Sequence, residues 1–251
     1  MDKKLYGTKK YYSMWLEIFK EALQGMNIGS GDFVETSGEQ NVMRLIKQGG
    51  GIRTIFDVGA NIGSYTKLLL ECFPEAIIHC FEPAEKTYQA LETNIQYSNV
   101  ILNNYGISDQ ISESVLYYDR EKSGLASMYH RQLDYFGIEL NMSETIKLDT
   151  LDNYCEVNHI EYIDFLKMDI EGNELKALLG AKNLLKQDRI KNIQIEFGGC
   201  NIDSRTYFRD YWNLLHDNFR VYRILRDGIW EITQYEEILE CFVTTNYLFM
   251  K

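Results

Sequence analysis

A chain of 251 residues, 45% of them hydrophobic, can bury one large core, and its most apolar runs, Ala76 to Phe81 and Ile190 to Phe197, fall far short of the roughly 20 residues a membrane-spanning helix needs. A formal charge of −11 repels phosphate backbones and no Lys/Arg run offsets it, which excludes nucleic acid as an expected substrate. Five scattered cysteines (Cys72, Cys80, Cys155, Cys200, Cys241) without a CxxC pair argue against a disulfide framework or zinc site.

The lysine-rich start, Met1 to Tyr12, leads into an amphipathic pattern rather than an apolar core with a cleavage site, so a cytoplasmic location is expected. Trp15, Ile18, Phe19, Ala22, Leu23 and Met26 then fall at helical spacing. After the Gly25 to Gly31 break, Ser37 with Gln40 three residues on forms a capping-box pattern. Val42, Leu45 and Ile46 follow, and Gly49, Gly50 and Gly51 stop the helix. Residues 1–50 are therefore expected to be a helical extension, a cap or homo-oligomer contact without chemistry, ahead of a domain over 51–251.

From Thr54 short β-branched runs alternate with helical stretches, the rhythm of βα units around a parallel sheet. Strands are predicted at 53–58, 76–81, 99–104, 162–168 and 190–196, with helices at 63–72, 84–97 and 172–186 and another carrying Phe208, Tyr211, Trp212 and Leu215. Phe219 to Leu225 and Cys241 to Met250 suggest an antiparallel edge pair. Residues 110–150 lack a crossover helix and are expected to face the substrate, because long loops inside compact domains are usually functional.

The most informative string is Asp57-Val-Gly59-Ala-Asn61-Ile-Gly63-Ser64-Tyr65-Thr66, a strand running into a glycine turn and a helix, which in an open α/β sheet is where a nucleoside binds. Gly59 and Gly63 permit close backbone approach. Asn61 stands where a dinucleotide fingerprint has its middle glycine, so the expected ligand is an adenosine without a pyrophosphate. Asp57, at the strand end, is placed to attract a methionine ammonium directly or through water. Glu82, followed by Pro83 at the end of the second strand, is placed to accept both ribose hydroxyl protons. Asp109, helped by Ser108, is a candidate for the adenine amino group, with a plain turn as the alternative.

With those residues in hand, DVGANIGSYT, CFEP, NNYGISD, IKLDTLDNYC and IDFLKMDIEGNELKALLGA, in that order over roughly residues 53 to 200, resemble the FkbM-type methyltransferases. The resemblance implies an α/β class I (Rossmann-like) methyltransferase fold with a doubly wound seven-stranded sheet and an antiparallel last strand. It also implies S-adenosyl-L-methionine as donor and O-methylation of hydroxyls on sugars or natural products. The concrete expectation is a sugar, or nucleotide-activated sugar, of surface polysaccharide biosynthesis. N-methylation and non-catalytic nucleoside binding are the rivals. The sequence reads Leu125-Ala126-Ser127-Met128 where the family often has paired serines.

Methyl transfer from a sulfonium needs an aligned acceptor and a base or metal at its oxygen. Asp169 and Glu171 at the end of the fourth strand and Glu196 at the end of the fifth are the candidates, with Asp169 first and helix capping as the alternative role for Glu171. No metal is the first expectation, with Mg²⁺ on Asp169 and Glu196 as the alternative to a base. His130, in the insertion, is a candidate second base or surface residue.

Overall fold

The computed structural model describes residues 3–29 and 37–251. Its centre is an eight-stranded sheet ordered β10-β9-β11-β8-β7-β1-β2-β3. The strands are β1 (Thr54–Val58), β2 (Ile77–Phe81), β3 (Val100–Asn103), β7 (Phe165–Met168), β8 (Asn192–Phe197), β9 (Arg220–Leu225), β10 (Gly228–Ile232) and β11 (Thr245–Met250). A small sheet of β4 (Gly106–Ile107), β6 (Met142–Asp149) and β5 (Ser112–Tyr118) sits beside it.

β1 pairs in parallel with β2 and β7, and β7 with β8, so the middle of the sheet runs one way. Its strands are apolar on both faces because both faces are covered. Phe56, Val58, Leu166 and Met168 belong to one core, whereas Ile55, Ile78 and Phe165 belong to the other. The second core is completed by helix α3 (Ser64–Cys72), through Leu69, and by helix α2 (Glu39–Gly49), through Val42, Met43 and Ile46. α2 is thus built into the domain, while helix α1 (Tyr12–Gly25) buries no residue. The N-cap of α2 is Gly38, with φ 91°, so the capping box expected from Ser37 is not formed. The Ser37 hydroxyl donates to Glu39 instead.

Two expectations are corrected. The sheet has eight strands rather than seven, and the expected antiparallel pairing of the last strand with Phe219 to Leu225 is present but that pair does not form the edge. β11 inserts antiparallel between β8 and β9, and β10, which folds back on β9, takes the edge. Residues 110–150 hold the β5–β6 antiparallel pair, and the crossover helix follows it as α5 (Leu151–Val157), after α4 (Glu85–Asn94). The predicted helix at 172–186 is two short ones, α6 (Glu174–Leu179) and α7 (Lys182–Lys186), followed by α8 (Gly199–Ser204) and α9 (Phe208–Leu215). Among the described residues no helix is long and apolar enough to cross a membrane.

Candidate functional site

The carboxyl ends of β1, β2 and β7 meet at a cavity of about 140 Å³. β1 passes into the glycine turn, where the N–H groups of Gly59 and Ala60 both donate to the Phe81 carbonyl at 3.0 Å. Gly59 has φ 84°, and a Cβ there would lie 1.9 Å from the Asp169 carbonyl oxygen, so only glycine fits. The turn and the tip of β7 are therefore in backbone contact.

Glu82 spans the turn and the end of β2. One carboxylate oxygen accepts the Asn61 N–H at 3.1 Å and the other the Ala84 N–H at 2.9 Å. Burial pushes its carboxyl up to about 7, against the pull of those two N–H groups. The cavity beyond it has apolar walls from Phe81, Pro83, Ile107, Leu148 and Ile170, and Glu82 and Asp169 both line it. Its cover is the β5–β6 segment, through Leu116, Ser123, Ala126 and Met128, so part of the insertion expected to face the substrate lines this cavity. The Asn61 amide donates to the Ser123 carbonyl at 3.2 Å, tying that cover to the glycine turn.

Asp57 does not face the cavity. It is fully buried, Thr66 Oγ1 donates to one carboxylate oxygen at 2.7 Å, and Lys167 Nζ stands 3.5 Å from the other. The carboxylate expected to attract an ammonium, directly or through water, is thus enclosed between Thr66 and Lys167. Lys167 is equally distant from Asp169, at 3.5 Å, and lies over the Tyr65 ring at 5.0 Å. Burial opposes the charged ammonium, but Asp169, Asp57 and Glu39 outweigh that and raise its pKa. The open carboxylate is Asp169, whose side chain is 40% exposed.

Other cofactor candidates are dispersed. Gly63 ends the turn and caps α3 with φ 90°. Ser64 is exposed, and Tyr65 is buried with its hydroxyl donating to Gln194 at 3.2 Å. Ser108 is buried and donates to Asp109 at 3.2 Å. Asp109 is exposed, and the two residues line a separate surface hollow with Tyr129 and Lys176.

Two residues after Asp169, Glu171 lies in the left-handed region at φ 52°. Its carboxylate is ion-paired with Arg131 of the insertion, and Ser127 Oγ donates to its carbonyl at 2.8 Å. Arg131 lies 3.7 Å from Asp203 on α8 as well. Burial, then Asp169, push the Glu171 carboxyl up to about 8, with Arg131 pulling the other way. Glu196, half-buried at the end of β8, is raised by burial and by Asp169 and Glu171. Glu174, the first residue of α6, is fully buried and accepts the N–H groups of Ile170 at 2.8 Å and Gly172 at 3.3 Å in the turn before the helix, whose N-cap Asn173 makes no side-chain capping bond. His130 is exposed, edge-on to Tyr117 at 5.0 Å, and does not line the cavity.

Among the described residues no group of three or more His, Cys, Asp or Glu side chains is arranged to hold a metal ion, so Asp169 and Glu196 have no third ligand of those types. Lys167 and Arg131 join the site without having been expected there from the sequence. The first carried a signal, since a lysine inside the buried run Phe165-Leu-Lys167-Met requires a partner. The second did not, because the insertion has no periodicity to show which way a side chain turns.

A glycine turn and strand-end carboxylate at the crevice of a doubly wound sheet define a Rossmann-like nucleoside-binding architecture. Residues 57–224 match the Methyltransferase FkbM domain, and the chain belongs to that family. It is 29% identical over 164 residues to the hexuronic acid methyltransferase AglP of Haloferax volcanii, a match covering 64% of each chain. It is 24% identical over 146 residues to the 2-O-methyltransferase NoeI of Sinorhizobium fredii, covering 54% of this chain and 60% of that one. The chain thus spans less than two thirds of these relatives' lengths. A methyltransferase FkbM from Methylobacillus flagellatus KT shares the fold, with a TM-score of 0.50 and 17% identity over 79% of this chain and 43% of that chain.

Proposed function

We propose that this protein transfers the methyl group of S-adenosyl-L-methionine to a hydroxyl of a sugar. The observation that carries the reading is the Glu82 carboxylate, held by Asn61 and Ala84 at one end of an apolar slot that Asp169 also lines. The donor set fits an adenosyl amino acid. Pro83, Ile107, Leu148 and Ile170 offer apolar faces for a purine, Glu82 an acceptor for ribose hydroxyls, and Asp169 an anion for an ammonium. When bound, the donor supplies an activated methyl group for direct displacement.

The chain's own residues supply position and proton acceptance. Glu171, raised to about 8, is poised close to neutral pH, where a general base is most effective. Arg131 holds that carboxylate against the repulsion of Asp169 and keeps part of it ionised. Met128 and Ala126 add apolar surface to the wall of the slot. The two relatives named for hexuronic acid and 2-O-methylation support a sugar acceptor. A free sugar, a polysaccharide unit and a nucleotide-activated sugar remain the forms to compare. Tritiated methyl donor with methyl β-D-glucoside, methyl β-D-glucuronide and UDP-glucuronic acid tests this; label entering none of them, with the donor's product bound, rejects the sugar assignment.

A further inference from the structure

Among the described residues, the cavity at the carboxyl ends of β1, β2 and β7 is lined by three acidic residues, Glu82, Asp169 and Glu171, and by no lysine, arginine or histidine. The two cations that border it are buried and already engaged. Lys167 stands between Asp57 and Asp169, and Arg131 between Glu171 and Asp203. Lys86, Arg120 and Lys122 line a separate small hollow, shared with Glu121 and Glu144. Two further carboxyls, Glu39 at the start of α2 and Glu196 at the end of β8, are raised by burial, and the charge of Asp169 adds to both shifts. The cavity and the family match define the site; its one-sided charge bears on what the site accepts.

We propose that the site selects an acceptor with no anionic group beside the reacting hydroxyl, so that an amino sugar suits it better than a neutral sugar and a uronic acid least. The inference rests on the methyl-transfer reading and narrows its acceptor class. A carboxylate entering beside Asp169 meets like charge and finds no unpaired cation, because Arg131 would bind it only by giving up Glu171 or Asp203. At an effective dielectric of about 20, one like charge about 6 Å away weakens binding roughly 100-fold. Water reaches Asp169, whose side chain is 40% exposed, and screens part of this. An ammonium acts in the opposite sense. Glu171 and Glu196 hold their protons because burial and neighbouring carboxylates disfavour their charged forms, and an added cation relieves that repulsion.

Two measurements on the full chain test the proposal. Calorimetry compares S-adenosylhomocysteine with sinefungin, which carries an amine at the position of the sulfonium. Sinefungin is expected to bind at least about tenfold more tightly, with the gap narrowed in Glu196→Gln; equal or weaker binding to the unaltered protein overturns the proposal. Methyl transfer then compares kcat/KM on methyl β-D-glucosaminide, methyl β-D-glucoside and methyl β-D-glucuronide. The values should fall in that order, the glucuronide at least about tenfold below the glucoside, and a glucuronide used as well as the glucoside overturns the proposal. Label entering none of the three, with both analogues bound, rejects the sugar reading, and the analogue comparison still decides the preference for positive charge. Binding of neither analogue overturns both readings.

Discussion

Replacing Glu82 by alanine removes the carboxylate that joins the glycine turn to the end of β2, and two losses follow. In the free protein the N–H groups of Asn61 and Ala84, now at 3.1 and 2.9 Å from its oxygens, lose their acceptor. Each bare buried donor costs about 1–3 kcal/mol, less whatever water recovers. With ligand bound, the ribose hydroxyls lose a charged acceptor worth about 1.5–3 kcal/mol. At about 1.4 kcal/mol per tenfold, S-adenosylhomocysteine should bind roughly 10- to 150-fold more weakly. Glu82→Gln keeps the shape and one acceptor oxygen, so it should regain part of the melting temperature and little of the affinity. Titration calorimetry on the three proteins measures both variants against the parent. Affinity of folded Glu82→Ala within about twofold of the parent refutes the reasoning.

Lys167→Met leaves Asp57 charged, fully buried and without its cation; breaking such a pair costs about 3–5 kcal/mol, so denaturant unfolding should show a loss of that order, partly recovered by adding Asp57→Asn, and a loss under about 1 kcal/mol contradicts the pairing. Glu82 and Glu174 are raised to about 7 and Glu171 to about 8, so between the unfolded value of about 4.3 and those values the folded state binds the extra protons. Stability from these groups is complete below the lower value and lost as pH rises through about 7 to 8. Chemical denaturation of the free protein at pH 5.5 and 8.5 should show the fall, flattened by Glu174→Gln, and a rise contradicts it. Arg131→Gln removes the cation that opposes protonation of Glu171, so the acid limb of the methyl-transfer rate should move to higher pH, less so in Arg131→Lys. A profile that only scales down contradicts a positioning role.

The parts of this site that were legible in the sequence are those set by local backbone demands. The turn at Gly59 and Gly63 and the acid at Glu82 follow from one strand end and its neighbour, which lie side by side because consecutive βα units pack in order. β1, β2, β7 and β8 were readable because strands covered on both faces become short apolar runs. β10 was not, since Trp230 is 69% exposed and no alternation marks a buried face. The position of β11 is a long-range matter, because pairing of Thr245 with Phe197 leaves no trace in either segment alone. Asp57 shows the same limit. Its place at a strand end was evident, but Lys167, which encloses it, arrives from another strand. His130 and Arg131 are neighbours in a segment without periodicity, and only the second turns inward to Glu171.

A crystal structure with S-adenosylhomocysteine bound tests the central claim most directly. The purine is expected among Pro83, Ile107, Leu148 and Ile170, the ribose hydroxyls on Glu82, and the amino acid end toward Asp169. A nucleoside seated elsewhere, or one whose ribose makes no contact with Glu82, contradicts it.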